Sequence, residues 1–105
     1  MDKIYFTITG TRFVLGERFL ESATDFLKAG TEVKLVKEKD NEYDTEAILV
    51  RMPGLGKMGH VANSVRTRIG ESYSAGRLYD KFDEEAVGVV ELVLPYGILC
   101  SLKQD

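Results

Sequence analysis

The chain has 105 residues, of which 44% are hydrophobic and 30% charged, and a formal net charge of −3. This is the composition of one globular domain, and it excludes wholesale disorder. With one Cys, one His and no apolar run of about eighteen residues, the sequence also excludes an internal disulfide, a structural zinc site and a membrane helix. We therefore expect a single domain over residues 1–105 that does not bind membranes, in the reducing cytoplasm.

The acidic balance argues against indiscriminate coating of DNA or RNA, which needs a basic face. It leaves room for a small local site, because charges act mainly within about 8 to 10 Å of a contact.

The first third of the chain predicts one strand and one helix. Ile4–Gly10 alternates loosely between apolar and polar residues, which is typical of a half-buried strand. From Glu17 to Ala29 the apolar residues change to helical spacing, with Lys28 late and Gly30 after the last turn. The helix is expected to be structural. Its apolar face consists of Phe19, Leu20, Ala23, Phe26 and Leu27.

The middle of the chain predicts three short strands and two connections. Thr31–Lys37 alternates, Ala47–Val50 is a short apolar run, and Met58–Val61 is a further strand. The polar run Glu38–Thr45 predicts a turn, and the Pro-Gly-Leu-Gly sequence at 53–56 predicts a loop.

A second helix is predicted after the fourth strand. Asn63 or Ser64 can cap it, and Gly76 can end it. The apolar residues between them have i, i+4, i+8 spacing and are Val65, Ile69 and Tyr73.

The C-terminal part predicts a hairpin. Leu78–Glu85 is acidic and ambiguous, Val87–Leu94 is a strong strand, Pro95-Tyr96-Gly97 is a turn and Ile98–Leu102 is a final strand. The predicted fold class is therefore mainly β (α+β), a small OB-like, partly open barrel of five to six strands with two helical insertions.

The motifs that would suggest catalysis each lack a feature that the chemistry requires. Gly54–Gly59 spells G-x-G-x-x-G, but a dinucleotide site needs a helix to begin within it, and here a strand follows. No Gly-x-Ser-x-Gly sequence is present, and Cys100 lies in an apolar strand, where a thiol is usually inert. His60 is more often a structural residue than a general base in such a setting. We predict no enzymatic activity, no metal and no cofactor.

Three pieces of sequence stand out together. They are Gly10-Thr11-Arg12-Phe13, then Asp40-Asn41-Glu42-Tyr43-Asp44 followed by Ala47-Ile48, then Gly59-His60-Val61. In order and spacing these pieces closely resemble the HIRAN domain. The resemblance implies an OB-like barrel that binds single-stranded DNA, with a preference for a free 3′ end in the eukaryotic remodeller branch of the family.

The resemblance also implies roles for individual residues. Phe13 and Tyr43 would stack on bases, as aromatic rings do with bases of any identity. Arg12 and Asn41 would contact the backbone or base edges. The alternatives left open are that Phe13 belongs to the core and that Asn41–Asp44 is simply a tight turn.

By the same resemblance, Asp44 would accept a hydrogen bond from the 3′-hydroxyl and His60 would lie near the terminal phosphodiester. Asp44 could instead cap local backbone amides. The end-binding branch commonly has Tyr where Phe13 stands, and Lys where Ala62 and Asn63 stand.

A basic patch is the last candidate feature. Arg66 and Arg68 fall early in the second predicted helix, where cations are unfavourable, which indicates an anion nearby. Lys57 could add to the same patch. The alternative is that the two arginines face water.

Taken together, the sequence predicts a nucleic-acid-binding module whose partner is single-stranded DNA or a DNA 3′ end. It has no helicase or RING motif, so a protein partner is expected to supply any enzymatic activity. The alternative is a protein-interaction or self-association domain that uses the C-terminal hairpin, Val87–Leu102. A small hydrolase is the least favoured, because no nucleophile–base pair is evident. The oligomeric state, the strand polarity and the choice between DNA and RNA stay open.

Overall fold

The computed structural model describes residues 3–9, 28–52, 56–94 and 97–103. They form a closed antiparallel barrel in the spatial order β1-β4-β3-β2-β5-β6. The elements are β1 (Tyr5–Thr9), β2 (Glu32–Lys37), β3 (Ile48–Met52), β4 (Gly56–Val61), α1 (Ala75–Tyr79), β5 (Glu85–Leu94) and β6 (Gly97–Leu102). The predicted small, mainly β, OB-like barrel is confirmed, and the barrel is closed where a partly open one was predicted.

The strands form because their side chains alternate between the barrel interior and its outer face. In β2, Val33 and Leu35 are buried while Glu32 and Lys34 are exposed, as a two-residue period requires. The interior contains the large side chains that are fully removed from solvent, among them Phe6, Ile8, Leu35, Ile48, Met58, Val90 and Ile98. Burial of this apolar surface is the main favourable term in folding.

Each described strand lies where the sequence predicted one. β4 and β5 each begin two residues before the predicted start, at Gly56 and Glu85, and β3 ends at Met52, two residues after the predicted end. Most of the predicted first helix, the 53–55 part of the predicted loop and the Pro95-Tyr96 part of the last turn lie outside the described residues.

The prediction of a second helix from Asn63 or Ser64 to Gly76 was wrong. Residues 64–71 form successive turns, and Val65 is 75% exposed. Thr7 of β1 explains why: its buried Oγ1 accepts from the Ile69 N–H at 2.9 Å and pairs with the Ser72 hydroxyl at 2.8 Å. These tertiary hydrogen bonds hold the backbone in an irregular path across β1.

The one helix in the described chain, α1, begins later and is short. Ser74 caps it, because its Oγ accepts from the Arg77 N–H. Gly76, predicted to end a helix, lies inside this one. The buried residues of α1 are Ala75 and Leu78, which join the barrel core.

Gly88 allows close packing inside the barrel, and its replacement should therefore be costly. A Cβ atom at Gly88 would lie 2.6 Å from Cζ of Phe6 and 3.2 Å from Cγ2 of Val33. We expect Gly88→Ala to lower the free energy of unfolding by about 1–3 kcal/mol, because overpacking forces side chains or backbone to shift. Urea unfolding followed by circular dichroism measures this, with the solvent-facing Val87→Thr as the control, expected to change it by less than about 0.5 kcal/mol. An unchanged stability of Gly88→Ala would contradict the packing described here.

No helix in the described part of the chain is long and apolar enough to cross a membrane.

Candidate functional site

The loop of residues 38–47 joins β2 to β3, and its own side chains hold it in place. Asn41 Oδ1 accepts hydrogen bonds from the backbone N–H groups of Tyr43 and Asp44, each at 2.9 Å. The loop is closed at its base, where the Glu38 N–H donates to the Ala47 carbonyl at 2.9 Å. The tight-turn interpretation of Asn41–Asp44 is thus confirmed. The turn also means that the loop needs no ligand to define its backbone.

Tyr43 lies at the outside of this turn and is 97% exposed. Among the described residues its ring makes no contact that would help the fold. An ordered backbone therefore presents a fully accessible aromatic face, which is the arrangement that base stacking needs.

Asp44 has one carboxylate oxygen in use and one available. Its Oδ1 accepts from the Glu46 N–H at 2.9 Å, so the local backbone cap that was left open as an alternative is present. Oδ2 has no hydrogen-bond partner in the described part of the chain. Asp44 can therefore stabilise the turn and still accept one hydrogen bond from outside.

Glu38 connects His60 of β4 to this loop. Glu38 Oε1 lies 2.6 Å from His60 Nε2 and 3.5 Å from Asn41 Nδ2. Because a carboxylate only accepts hydrogen bonds, the hydrogen in this bond must be on His60 Nε2. The other ring nitrogen, Nδ1, has no hydrogen-bond partner among the described residues. The sequence analysis missed Glu38, which it had placed in a polar turn. The available signal was its position two residues after Val36, on the outward-facing side of β2.

The outer surface beside the loop is a row of residues that crosses four strands. The pairings are Val36 with Leu49, Leu49 with His60, and His60 with Thr9. Thr9 is the last described residue before the Gly10–Phe13 motif, and Arg12 and Phe13 lie outside the described residues. The structure thus brings Asn41, Tyr43, Asp44 and His60 together at one end of the barrel.

The other basic candidates lie outside the 38–47 loop. Lys57 is exposed on β4 opposite Arg51, three residues before His60. Arg66 is exposed on the turn after β4. Arg68 donates from Nη1 to the Ser72 carbonyl at 3.0 Å, and its Nε is buried without a partner among the described residues.

The argument that Arg66 and Arg68 flank a helix N-terminus was wrong, because no helix begins there. Among the described residues, no hydrogen bond or ion pair joins either arginine to the 38–47 loop.

A groove of about 450 Å³ lies on the β5 side of the loop. Four carboxylates and two lysines line it, and both lysines already have partners. Lys37 donates to the Phe82 carbonyl at 2.7 Å, and Lys39 bonds Glu84 at 2.6 Å. That ion pair raises the pKa of Lys39 and lowers that of Glu84. The groove therefore offers little to an anion, and the accessible surface for one lies on the β3–β4 side.

Nucleophilic chemistry finds no support in these residues. Burial raises the pKa of the Cys100 thiol to about 12, so the reactive thiolate is scarce at neutral pH. His60 is paired with a carboxylate and has no described nucleophile beside it. No group of three or more His, Cys, Asp and Glu side chains among the described residues could hold a metal ion.

The fold and the site define a small OB-like barrel that presents an exposed aromatic side chain on a hydrogen-bonded loop, the form of a binding module. Residues 1–90 match the HIRAN domain, and the chain belongs to this family of nucleic-acid-binding modules. The HIRAN domain is a binding domain and is not itself catalytic. The resemblance seen in the sequence is thereby confirmed.

Other comparisons support the fold alone. A crystal structure of a protein from Lactobacillus plantarum is similar, with a TM-score of 0.62 and 24% identity over 96% of this chain and 93% of that one. A comparison with curated proteins gave no match.

Proposed function

We propose that this HIRAN domain binds single-stranded DNA and recognises its free 3′ end. The observation that carries the proposal is the 97% exposed Tyr43 ring on a turn that Asn41 holds in place without a ligand. Because the backbone of this turn is already held in place, binding does not have to order it, so more of the stacking energy appears as affinity.

In this proposal Tyr43 stacks on the terminal base and the free Oδ2 of Asp44 accepts from the 3′-hydroxyl. Residues 38–46 carry five carboxylates and one lysine. Such a loop attracts a neutral hydroxyl donor and repels a terminal phosphate, because like charges at short range are unfavourable. The acidity of the loop therefore favours an unmodified end.

His60 would face the terminal phosphodiester in the same complex. A phosphate oxygen also only accepts, so His60 can bond Glu38 and a phosphate together only as the doubly protonated ring. By their match to the family motif, Arg12 would add a planar donor fork for phosphate and Phe13 a second stacking surface. Asn41 would contribute by fixing the turn, and its amide nitrogen would be available to a base edge.

The test compares two versions of one fluorescein-labelled eight-nucleotide strand, one with a 3′-hydroxyl and one with a 3′-phosphate. We expect fluorescence anisotropy at low salt to show at least about tenfold weaker binding of the phosphorylated strand, the size of one lost charged hydrogen bond. Asp44→Asn keeps an Oδ1 acceptor for the Glu46 N–H but removes the charge, so it should lose most of this discrimination.

Equal affinity for both ends in the wild type would exclude end recognition. Absence of any binding at low salt would exclude the nucleic-acid function as a whole. The same titration with an RNA strand of the same sequence shows whether the protein prefers DNA or RNA.

The protein-interaction alternative would use either an exposed edge of the hairpin Val87–Leu102 or its apolar side chains, and the closed barrel argues against the first of these. Within the described residues β5 lies between β2 and β6, and β6 lies between β5 and β1, so both strands already have neighbours. The exposed apolar side chains Val87 and Leu92 still favour a surface contact. A mass that rises with concentration in light scattering, without oligonucleotide binding, would support this alternative.

A cytoplasmic location and a partner that supplies enzymatic activity remain part of our proposal.

A further inference from the structure

A row of basic side chains crosses three neighbouring strands on the outer face of the barrel. Lys34 of β2 pairs with Arg51 of β3, and Arg51 pairs with Lys57 of β4. All three residues are exposed. We call this set the basic row.

Folding does not explain the basic row. Like charges directly opposite each other on adjacent strands are destabilising. Lys34 has Glu85 at 3.2 Å, whereas Arg51 and Lys57 have no acidic side chain within 4.0 Å among the described residues. A protein with a net charge of −3 has thus placed cations together where they repel, which is the kind of local conflict that marks a binding surface.

The basic row lies on the same surface as the Tyr43 loop and His60. Leu49, which pairs with His60, and Arg51 are two residues apart on one strand, so their side chains share a face about 7 Å apart. The pairing of β3 with β4 shifts register between Val50 and Arg51. Bulges of this kind re-aim the side chains next to them and are frequent at functional sites.

The charges along this surface differ from one end to the other. The 38–46 segment carries five carboxylates and one lysine, while the basic row at the other end carries three cations. A strand whose neutral 3′-hydroxyl lies at the acidic end would be attracted along this surface towards the cations, because its phosphates are anionic. This arrangement of charges favours a bound strand that runs from the β2–β3 loop towards the basic row.

We propose that the basic row binds the phosphodiester groups that precede the terminal nucleotide, with Arg51 and Lys57 as its principal contacts. This inference rests on the proposed function, since it assumes a single strand whose end is at Tyr43. It adds the sequence-independent part of the affinity, which the acidic loop cannot supply.

The test is the salt dependence of binding by Arg51→Gln/Lys57→Gln, measured with the eight-nucleotide strand that has a free 3′ end. The logarithm of the association constant falls as the logarithm of the salt concentration rises. Each lost phosphate contact should reduce the magnitude of this slope by about 0.7, so the double variant should lose about 1.4. Its preference for a 3′-hydroxyl over a 3′-phosphate should stay at the wild-type ratio. The control Arg77→Gln/Lys81→Gln makes the same change in net charge in and after α1, and it should leave the slope unchanged.

Three outcomes overturn the inference. If the wild type distinguishes the two ends but the Arg51→Gln/Lys57→Gln slope equals the wild-type slope, the basic row does not bind phosphates and the proposed function stands. If both double variants lose the same slope, the effect is one of net charge. If the wild type binds no strand at low salt, the proposed function and the basic row fail together.

Discussion

Tyr43→Ala is expected to weaken binding of a single-stranded oligonucleotide about 5- to 150-fold and to leave the stability of the protein unchanged. The range corresponds to the loss of about 1–3 kcal/mol of base–aromatic stacking. The ring is 97% exposed, so its removal leaves no cavity and exposes no core. The Asn41 hydrogen bonds to the turn use backbone N–H groups, which alanine retains.

The matched variant is Tyr43→Phe, which keeps the stacking face and should bind within about twofold of the wild type. Anisotropy titrations give the affinities and urea unfolding gives the stabilities. If Tyr43→Ala binds as tightly as the wild type, the aromatic loop is not the binding surface. If it loses binding and stability together, the exposed ring has a folding role that its surroundings do not show.

Phe6→Ala is expected to lower the free energy of unfolding by about 3–5 kcal/mol, the largest effect on stability that we predict for a single substitution. Phe6 is fully buried on β1, its ring reaches the backbone of Gly88 on β5, and its backbone bridges to Tyr73. Alanine would leave a cavity at a position where three parts of the barrel meet. Native domains have about 5–15 kcal/mol of stability, so this loss is a large fraction of the total and should move the unfolding midpoint to a much lower urea concentration.

Urea unfolding tests this loss, and a second pair of variants tests its cause. Phe6→Leu removes the ring atoms that a Cβ at Gly88 would meet, so the combination Phe6→Leu with Gly88→Ala should lose less stability than the two single changes added together. Strict additivity would show that the two residues do not share this packing. A Phe6→Ala variant as stable as the wild type would show that the ring is not part of the core.

Local patterns in the sequence sufficed for the strands and for the main loop. The alternation of Val33 and Leu35 with Lys34 depends only on the two-residue period of a strand. The turn at Asn41 depends on hydrogen bonds that span two and three residues, and Asn side chains form these in many contexts. Both features involve neighbours in the chain, so both could be predicted.

The second helix shows why the same method fails elsewhere. Val65, Ile69 and Tyr73 have helical spacing, but the competing hydrogen bonds come from Thr7, more than sixty residues away. Spacing within a segment carries no information about such a distant partner. Tertiary hydrogen bonding overrode the local preference, as it commonly does.

The sequence by itself determined the strands of an OB-like barrel, the Asn41–Asp44 turn and, through its motifs, the HIRAN family. Only the tertiary structure decided that Glu38 bonds His60, 22 residues away, and that Lys34, Arg51 and Lys57 form one row. The reason is that strand register sets both arrangements. Register depends on how all six strands close the barrel together, and no single segment encodes it.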